Sequence, residues 1–251
     1  MNRPVTEWIC AGTRCRRVPA GLNLGAVAHA PVPRLRRESW VRYRLTLDGL
    51  PPSPAGIHLT PIDASLMELL RLHPERDEHQ VRSAFRFWQI GFGDGFLWME
   101  KGEPLCMIWL LTSRHMAARA GLGTWAGIYP PLDADAGMAE GIYSFRRGLR
   151  RPGGAATLMA QALFHKARGL GLRELRTHIH EENLAARRWA ARLGWQPVGR
   201  IHRCFLDLRG LRASPVYLHE REEVGELPPV GGAARAGSRE DASESASPPA
   251  P

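Results

Sequence analysis

Between Ala139 and Gly194 the hydrophobic period of the chain alternates in a way that few folds accommodate. Ala139 to Gly148 reads as a strand, and Arg150, Arg151, Pro152, Gly153, Gly154 and Ala155 form a Gly-rich turn directly after it. From about Gly154 to Gly169 the apolar residues Ala156, Met159, Leu163, Ala167 and Leu170 recur at helical spacing. Leu172 to His180 then alternates apolar and polar side chains, as a strand does. Asn183 opens a second helix with Ala186, Trp189, Ala190 and Leu193 on one face, and Gly194 ends it. Strand, turn, helix, strand and helix in this order imply a sheet covered by helices, hence an α/β chain.

The earlier chain supplies further strands and helices. Trp40 to Leu47 alternates, and the prolines at 51, 52 and 54 break it. A strand over Ile57 to Ile62 is followed by a helix through Leu66, Leu69, Leu70 and Leu72, capped by Asp63 or Ser65. Glu78 to Ile90 carries Val81, Phe85 and Trp88 at helical spacing. Phe96 to Glu100 and Leu105 to Leu111 read as strands joined by a turn at Lys101 to Pro104. The second is a nearly continuous apolar run, expected where both faces of a strand are buried. Trp125 to Tyr129 is a further candidate strand. Gln196 to Leu208 and Val216 to Leu218 read as a terminal strand pair. Three parts follow: an irregular N-terminal extension over 1–38, a folded domain over 39–221, and a tail over 222–251 whose Gly, Pro, Ala and Ser content cannot form a core and is expected to be disordered.

With 251 residues, 44% of them apolar, the chain can bury a sizeable core. It has no apolar run long enough for a transmembrane helix and no secretory signal pattern, so a cytoplasmic location is the default expectation. Cys10, Cys15, Cys106 and Cys204 lack the spacing of a zinc site, and no metal is expected. The net charge of +9 is carried almost wholly by arginine, since Lys101 and Lys166 are the only lysines. Such a surface attracts polyanions, among them nucleic acid and polyphosphorylated small molecules. No nucleic-acid-binding motif accompanies the charge, so nucleic acid is not the expected partner.

The turn has specific chemistry. Glycine lets the backbone approach a ligand closely, and the first turn of a helix presents unpaired N–H groups at its positive end. Gly153 and Gly154 before the helix therefore suggest a phosphate cradle, with Arg150 and Arg151 able to add charge-assisted contacts. A Gly pair serving only turn geometry is the commoner case. Asn183 can cap its helix, its commoner role, or reach a ligand amide.

The two motifs together resemble the GNAT acyltransferase superfamily. Arg150, Gly153 and Ala155 match the family's Arg/Gln, Gly and Gly/Ala pattern, while Asn183 and the run Leu193, Gly194 and Trp195 match its Asn-centred helix and that helix's ending. The resemblance implies an α+β fold: a mixed, mostly antiparallel sheet with helices on both faces and splayed central strands. It implies that backbone at Arg151, Gly153, Gly154, Ala155 and Ala156 holds the pyrophosphate of acetyl-CoA or another acyl-CoA. Pro152 has no N–H to offer. Phe145, Arg146 and Arg147 would supply strand-side backbone contacts to the pantetheine arm, and Asn183 would sit beside it. The expected reaction is direct acyl transfer to a primary amine of a small molecule or peptide, in a monomer or homodimer. Glu140, His178 and Glu181 are candidate bases for the incoming ammonium. Each is also the kind of residue that serves as an ordinary solvated carboxylate or satisfied histidine. The family commonly places a Tyr seven residues after the Asn, as acid for the leaving thiolate. Here Ala190 occupies that position, beside Trp189. Tyr143 and Tyr217 are alternative acids, with aromatic packing the commoner use. A domain that binds acyl-CoA with little or no turnover is therefore the alternative reading.

Overall fold

The computed structural model describes residues 8–11, 14–17, 34–208, 211–212 and 215–221. The expected tail over 222–251 lies outside them. In chain order the elements begin with two short strands, β1 (Trp8–Ala11) and β2 (Arg14–Arg17), which pair antiparallel. Then follow β3 (Arg34–Thr46), β4 (Thr60–Pro61), α1 (Ala64–Leu72), α2 (His79–Ile90), β5 (Asp94–Glu100) and β6 (Glu103–Thr112). A 3₁₀ segment (Ser113–Ile128) leads into β7 (Ala136–Ser144), α3 (Arg146–Leu149), α4 (Ala155–Gly169), β8 (Glu174–His180) and α5 (Leu184–Arg192). The strands β9 (Gln196–Leu208), β10 (Leu211–Arg212) and β11 (Val216–Arg221) complete the described chain.

Strands β3 to β11 form one sheet in the order β10-β9-β3-β8-β7-β6-β5-β4, with β11 also on β9. Every pairing is antiparallel except β7 with β8. Those two are joined through α3 and α4, the long crossover that a parallel pair requires. Helices α4 and α5 cover one face, where Met159, Leu163, Phe164 and Ala190 pack with Val41, Tyr43, Leu45, Ile108 and Leu110. Helices α1 and α2 cover the other, where Leu70, Val81 and Phe87 pack with Leu97, Met107, Trp109 and Leu111. Strand β6 is thus buried on both faces from Pro104 to Leu111, as its continuous apolar run requires. This is the mixed, mostly antiparallel sheet with helices on both faces that the sequence implied.

Several boundaries differ from the sequence reading, each for a physical reason. Strand β3 begins at Arg34, inside the region expected to be irregular, because β9 supplies a partner for every residue from Arg34 to Trp40. The expected strand at Ile57 to Ile62 shrinks to Thr60–Pro61, which pairs only with Leu97 and Phe96 of β5. Trp125 to Tyr129 is not a strand. It lies in the second part of the 3₁₀ segment, which is broken at Gly123, where φ is 59° and ψ is −126°, and Leu122 and Ile128 on either side of the break are buried. Arg86 clamps this segment by donating to the carbonyls of Gly121 and Leu122 at 3.1 and 2.8 Å. Strand β7 ends at Ser144 rather than Gly148, because the chain turns there into α3 and the Phe145 N–H bonds the Leu105 carbonyl at 3.0 Å.

Candidate active site

The parallel pair β7–β8 holds over only three positions, Ala136 with Glu174, Gly137 with Leu175 and Met138 with Arg176. Beyond Met138, β7 stays on β6 as far as Ser144, while β8 stays on β3 as far as His180. The two central strands therefore part. The cause is local to β7: Trp109 faces Glu140 and Met107 faces Tyr143, so Gly141 and Ile142 oppose Ile108 alone. This is a β-bulge, which bends its strand, and Gly141 takes the left-handed φ of 60° that the bulge needs.

Glu140 stands beside the bulge, and its carboxylate reaches across the gap to β8. Its Oε1 accepts from the His178 N–H at 3.2 Å, the His178 Nδ1 at 2.8 Å and the Thr177 Oγ1 at 3.5 Å. The side chain replaces the ladder bonds lost where the strands separate. The pair is secluded, with the His178 and Glu140 side chains 3% and 11% exposed. The His178 Nε2 lies 2.6 Å from the Ile128 carbonyl, which only accepts, so that nitrogen carries a proton. Its Nδ1 faces a carboxylate oxygen, so a second proton lies between them. No lone pair of His178 is left to take a proton from elsewhere. Glu140 Oε2 has no donor among the described residues. Tyr129 packs edge-on against the His178 ring at 5.2 Å and fixes its plane.

The third candidate base stands apart from this pair. Glu181 pairs with Arg200 Nε at 3.2 Å at the end of β8. Asn183 is the N-cap of α5, its Oδ1 accepting from the Ala186 N–H at 3.1 Å.

At the turn, Gly153 and Gly154 adopt φ of 79° and 75°, conformations that favour glycine. The Gly154 N–H is turned inward to the Arg151 carbonyl at 3.0 Å. The N–H groups of Gly153, Ala155, Ala156 and Thr157 have no backbone acceptor among the described residues, and α4 has no side-chain cap. These donors, at the positive end of a 15-residue helix, fit an anionic group such as a pyrophosphate.

The arginines around the turn divide into two sets. Arg151 is ion-paired to Glu100 and lies over the Trp98 ring at 4.7 Å, and Arg147 reaches Glu100 at 3.9 Å and Glu103 at 3.6 Å. Both tie the turn to the β5–β6 hairpin. Arg146 and Arg150 are exposed and make no side-chain ion pair among the described residues. Phe145 is 1% exposed and caps α3, with Arg146 and Arg147 inside that helix. The expected strand-side position of these three is thereby corrected: the open strand edge is Ala139 to Ser144.

The positions considered for an acid are all occupied. Ala190 is fully buried on the inner face of α5, and the neighbouring Trp189 donates its indole N–H to Thr157 Oγ1 at 3.1 Å. The Tyr143 hydroxyl donates to Glu75 at 2.7 Å, and burial with the Glu75 carboxylate pushes that phenol well above its ordinary value. The Tyr217 hydroxyl donates to the Thr124 carbonyl.

A mixed sheet whose parallel central pair parts at a bulge, with a Gly-rich turn opening a helix beside the gap, is the architecture of GNAT-type acyltransferases. This chain belongs to that family: residues 53–196 match the model of the acetyltransferase (GNAT) domain. No curated protein matches the sequence. Among solved structures, a GNAT-family protein from Novosphingobium aromaticivorans DSM 12444 is 15% identical over 72% of this chain and 70% of its own, with a TM-score of 0.43. A GCN5-related N-acetyltransferase from Sphaerobacter thermophilus is 18% identical over 73% of this chain and 56% of its own, with a TM-score of 0.46. A tandem GNAT protein from the clavulanic acid biosynthesis pathway is 16% identical over 65% of this chain and 51% of its own, with a TM-score of 0.41. No helix among the described residues is long and apolar enough to cross a membrane.

Proposed function

We propose that this chain transfers an acyl group, acetyl in the first instance, from acyl-CoA to a primary amine by direct transfer, with Glu140 as the base. The observation that carries this reading is the Glu140 carboxylate in the gap between β7 and β8, with Oε1 held by donors of β8 and Oε2 open. The pyrophosphate would lie on the N–H groups of Gly153, Ala155, Ala156 and Thr157, with Arg150 close by. The pantetheine arm would run along the open edge from Ala139 to Ser144, passing Asn183. Glu140 Oε2 takes a proton from the incoming ammonium, and the freed amine attacks the thioester carbonyl carbon. The C–N bond forms, the C–S bond breaks, and water passes the second proton of the attacking nitrogen to the departing thiolate. His178, through its backbone N–H and its ring, holds the Glu140 carboxylate in place. Holding amine and thioester together supplies much of the rate, so a missing tyrosine acid does not by itself abolish transfer.

The buried Ala190 favours a second reading, an acyl-CoA-binding domain with little turnover. Titration calorimetry with acetyl-CoA, beside Gly153→Glu as a control, tests the cofactor. We expect binding by the unmodified protein and its loss in the variant, whose carboxylate would oppose the pyrophosphate. No heat from the unmodified protein would sink both readings. Thiol release across a panel of amines then separates transfer from binding alone.

A further inference from the structure

One face of β3 and β8 beside the Glu140–His178 pair is lined by cations. The register sets Arg42 opposite His178 and Arg44 opposite Arg176. Like charges directly opposed across a ladder are unfavourable unless something compensates them. Arg176 is compensated by Glu174 at 2.6 Å and Asp133 at 3.0 Å, and His178 by Glu140. Arg42 reaches the Glu220 carbonyl at 3.4 Å. Arg44 is exposed and has no ion pair or hydrogen bond among the described residues.

These side chains line a cavity of about 380 Å³ whose wall includes Arg42, Arg44, Arg176, His178 and Thr177. Among the described residues the single carboxylate in that wall is Glu174, which Arg176 already holds. Arginines outnumber carboxylates in this lining, while the other side of Arg44 faces Asp48, Asp133 and Asp135 in the adjoining pocket. The imidazole of His219 is held below its ordinary value by burial and by the neighbouring charges of Arg42 and His178. Arg44 lies two residues along β3 from Arg42, a distance of about 7 Å at the usual strand rise. Glu140 is not in that lining, but His178, which is, holds the Glu140 carboxylate, and the cavity volume suits a small molecule.

We propose that the amine acceptor is a free amino acid, its carboxylate bound by Arg44 and Arg42 and its amino group turned toward Glu140. The proposal rests on the acyl-transfer reading above and specifies its substrate class. It makes Arg44 a specificity-determining residue, since guanidinium and carboxylate form paired charge-assisted hydrogen bonds.

The test uses the full chain with acetyl-CoA and matched acceptors, L-leucine against L-leucinamide and L-phenylalanine against L-phenylalaninamide, followed by thiol release. The free acids are expected to exceed their carboxamides in kcat/KM by about tenfold or more, and Arg44→Gln to erase most of that preference through KM. Arg82→Gln, on the exposed side of α2, should keep the preference intact. Carboxamides that match or exceed the acids would overturn the proposal while leaving acyl transfer standing. So would an Arg44→Gln variant that affects both members of each pair alike. If neither member of a pair is acetylated, calorimetry with the same amino acids decides. Absence of heat overturns the proposal, and the acetyl-CoA titration run alongside shows independently whether the cofactor reading holds.

Discussion

Replacing Glu140 separates its two roles, a structural bridge across the parted strands and a base for the ammonium. In Glu140→Ala the His178 N–H loses its acceptor, and leaving such a buried donor unsatisfied costs about 1–3 kcal/mol. The His178 imidazole also loses its charge partner at 2.8 Å, in a place where its side chain is 3% exposed. Breaking a buried pair costs about 3–5 kcal/mol, less where water can enter in place of the lost side chain. We expect a net loss of about 3 kcal/mol, or a fall in Tm of about 6–12 °C for a chain of this size. Glu140→Gln is different. Its amide oxygen can still accept from β8, so the stability loss should be about 1 kcal/mol. It has no basic oxygen, so kcat should fall by about 10²–10⁴-fold. Denaturant titration and thiol-release kinetics on both variants, at saturating acetyl-CoA, measure the two quantities separately. A Glu140→Gln enzyme within about threefold of the unmodified kcat would refute the assignment of the base, leaving Glu140 a purely structural bridge.

Two further perturbations probe the frame that holds the site. A Cβ at Gly148 would run into the Leu105 carbonyl oxygen, so Gly148→Ala should destabilise the chain by about 3 kcal/mol and displace α3, read by denaturant melts. A melt unchanged from the unmodified protein would mean that α3 does not pack on β6 this closely. Cys106 is fully buried, and burial pushes its thiol up to about 12. It should resist iodoacetamide at about pH 8 while the half-buried Cys204 reacts, a contrast that peptide mass spectrometry reads directly. The sign of the pH dependence follows. An unfolded thiol ionises near its ordinary 9.0 whereas the folded one keeps its proton, so unfolding releases a proton above that pH. Stability should therefore fall as pH rises past 9.0, with a slope up to about 1.4 kcal/mol per pH unit relative to Cys106→Ala, and an equal slope in both proteins would contradict the burial argument.

Much of the frame was legible in the sequence because it depends on neighbours along the chain. Helical spacing located α1, α2, α4 and α5 to within a residue or two, and Asp63 and Asn183 cap α1 and α5 as capping chemistry requires. The apolar run from Leu105 declared a doubly buried strand, and the left-handed Gly153 and Gly154 mark the turn that opens α4. Local rules misplaced Trp125 to Tyr129, because an aromatic run suits a strand as well as a 3₁₀ helix when no sheet edge is available to pair with it.

What only the tertiary structure decided is which distant residues meet. Glu140 and His178 both stood as candidate bases, but nothing in their spacing joined them. Their contact depends on a parallel register that no short turn fixes and on a bulge at Gly141 that ends it. The same holds for the arginines. Arg150 and Arg151 are neighbours in sequence, yet Glu100, some fifty residues upstream, claims Arg151 and leaves Arg150 exposed. Arg42 and Arg44 stand opposite His178 and Arg176 only because β3 inserts between β8 and β9. Capping and periodicity follow from torsion angles and side-chain spacing within a few residues. Proton sharing and charge compensation follow from distances between strands, which only the folded sheet sets.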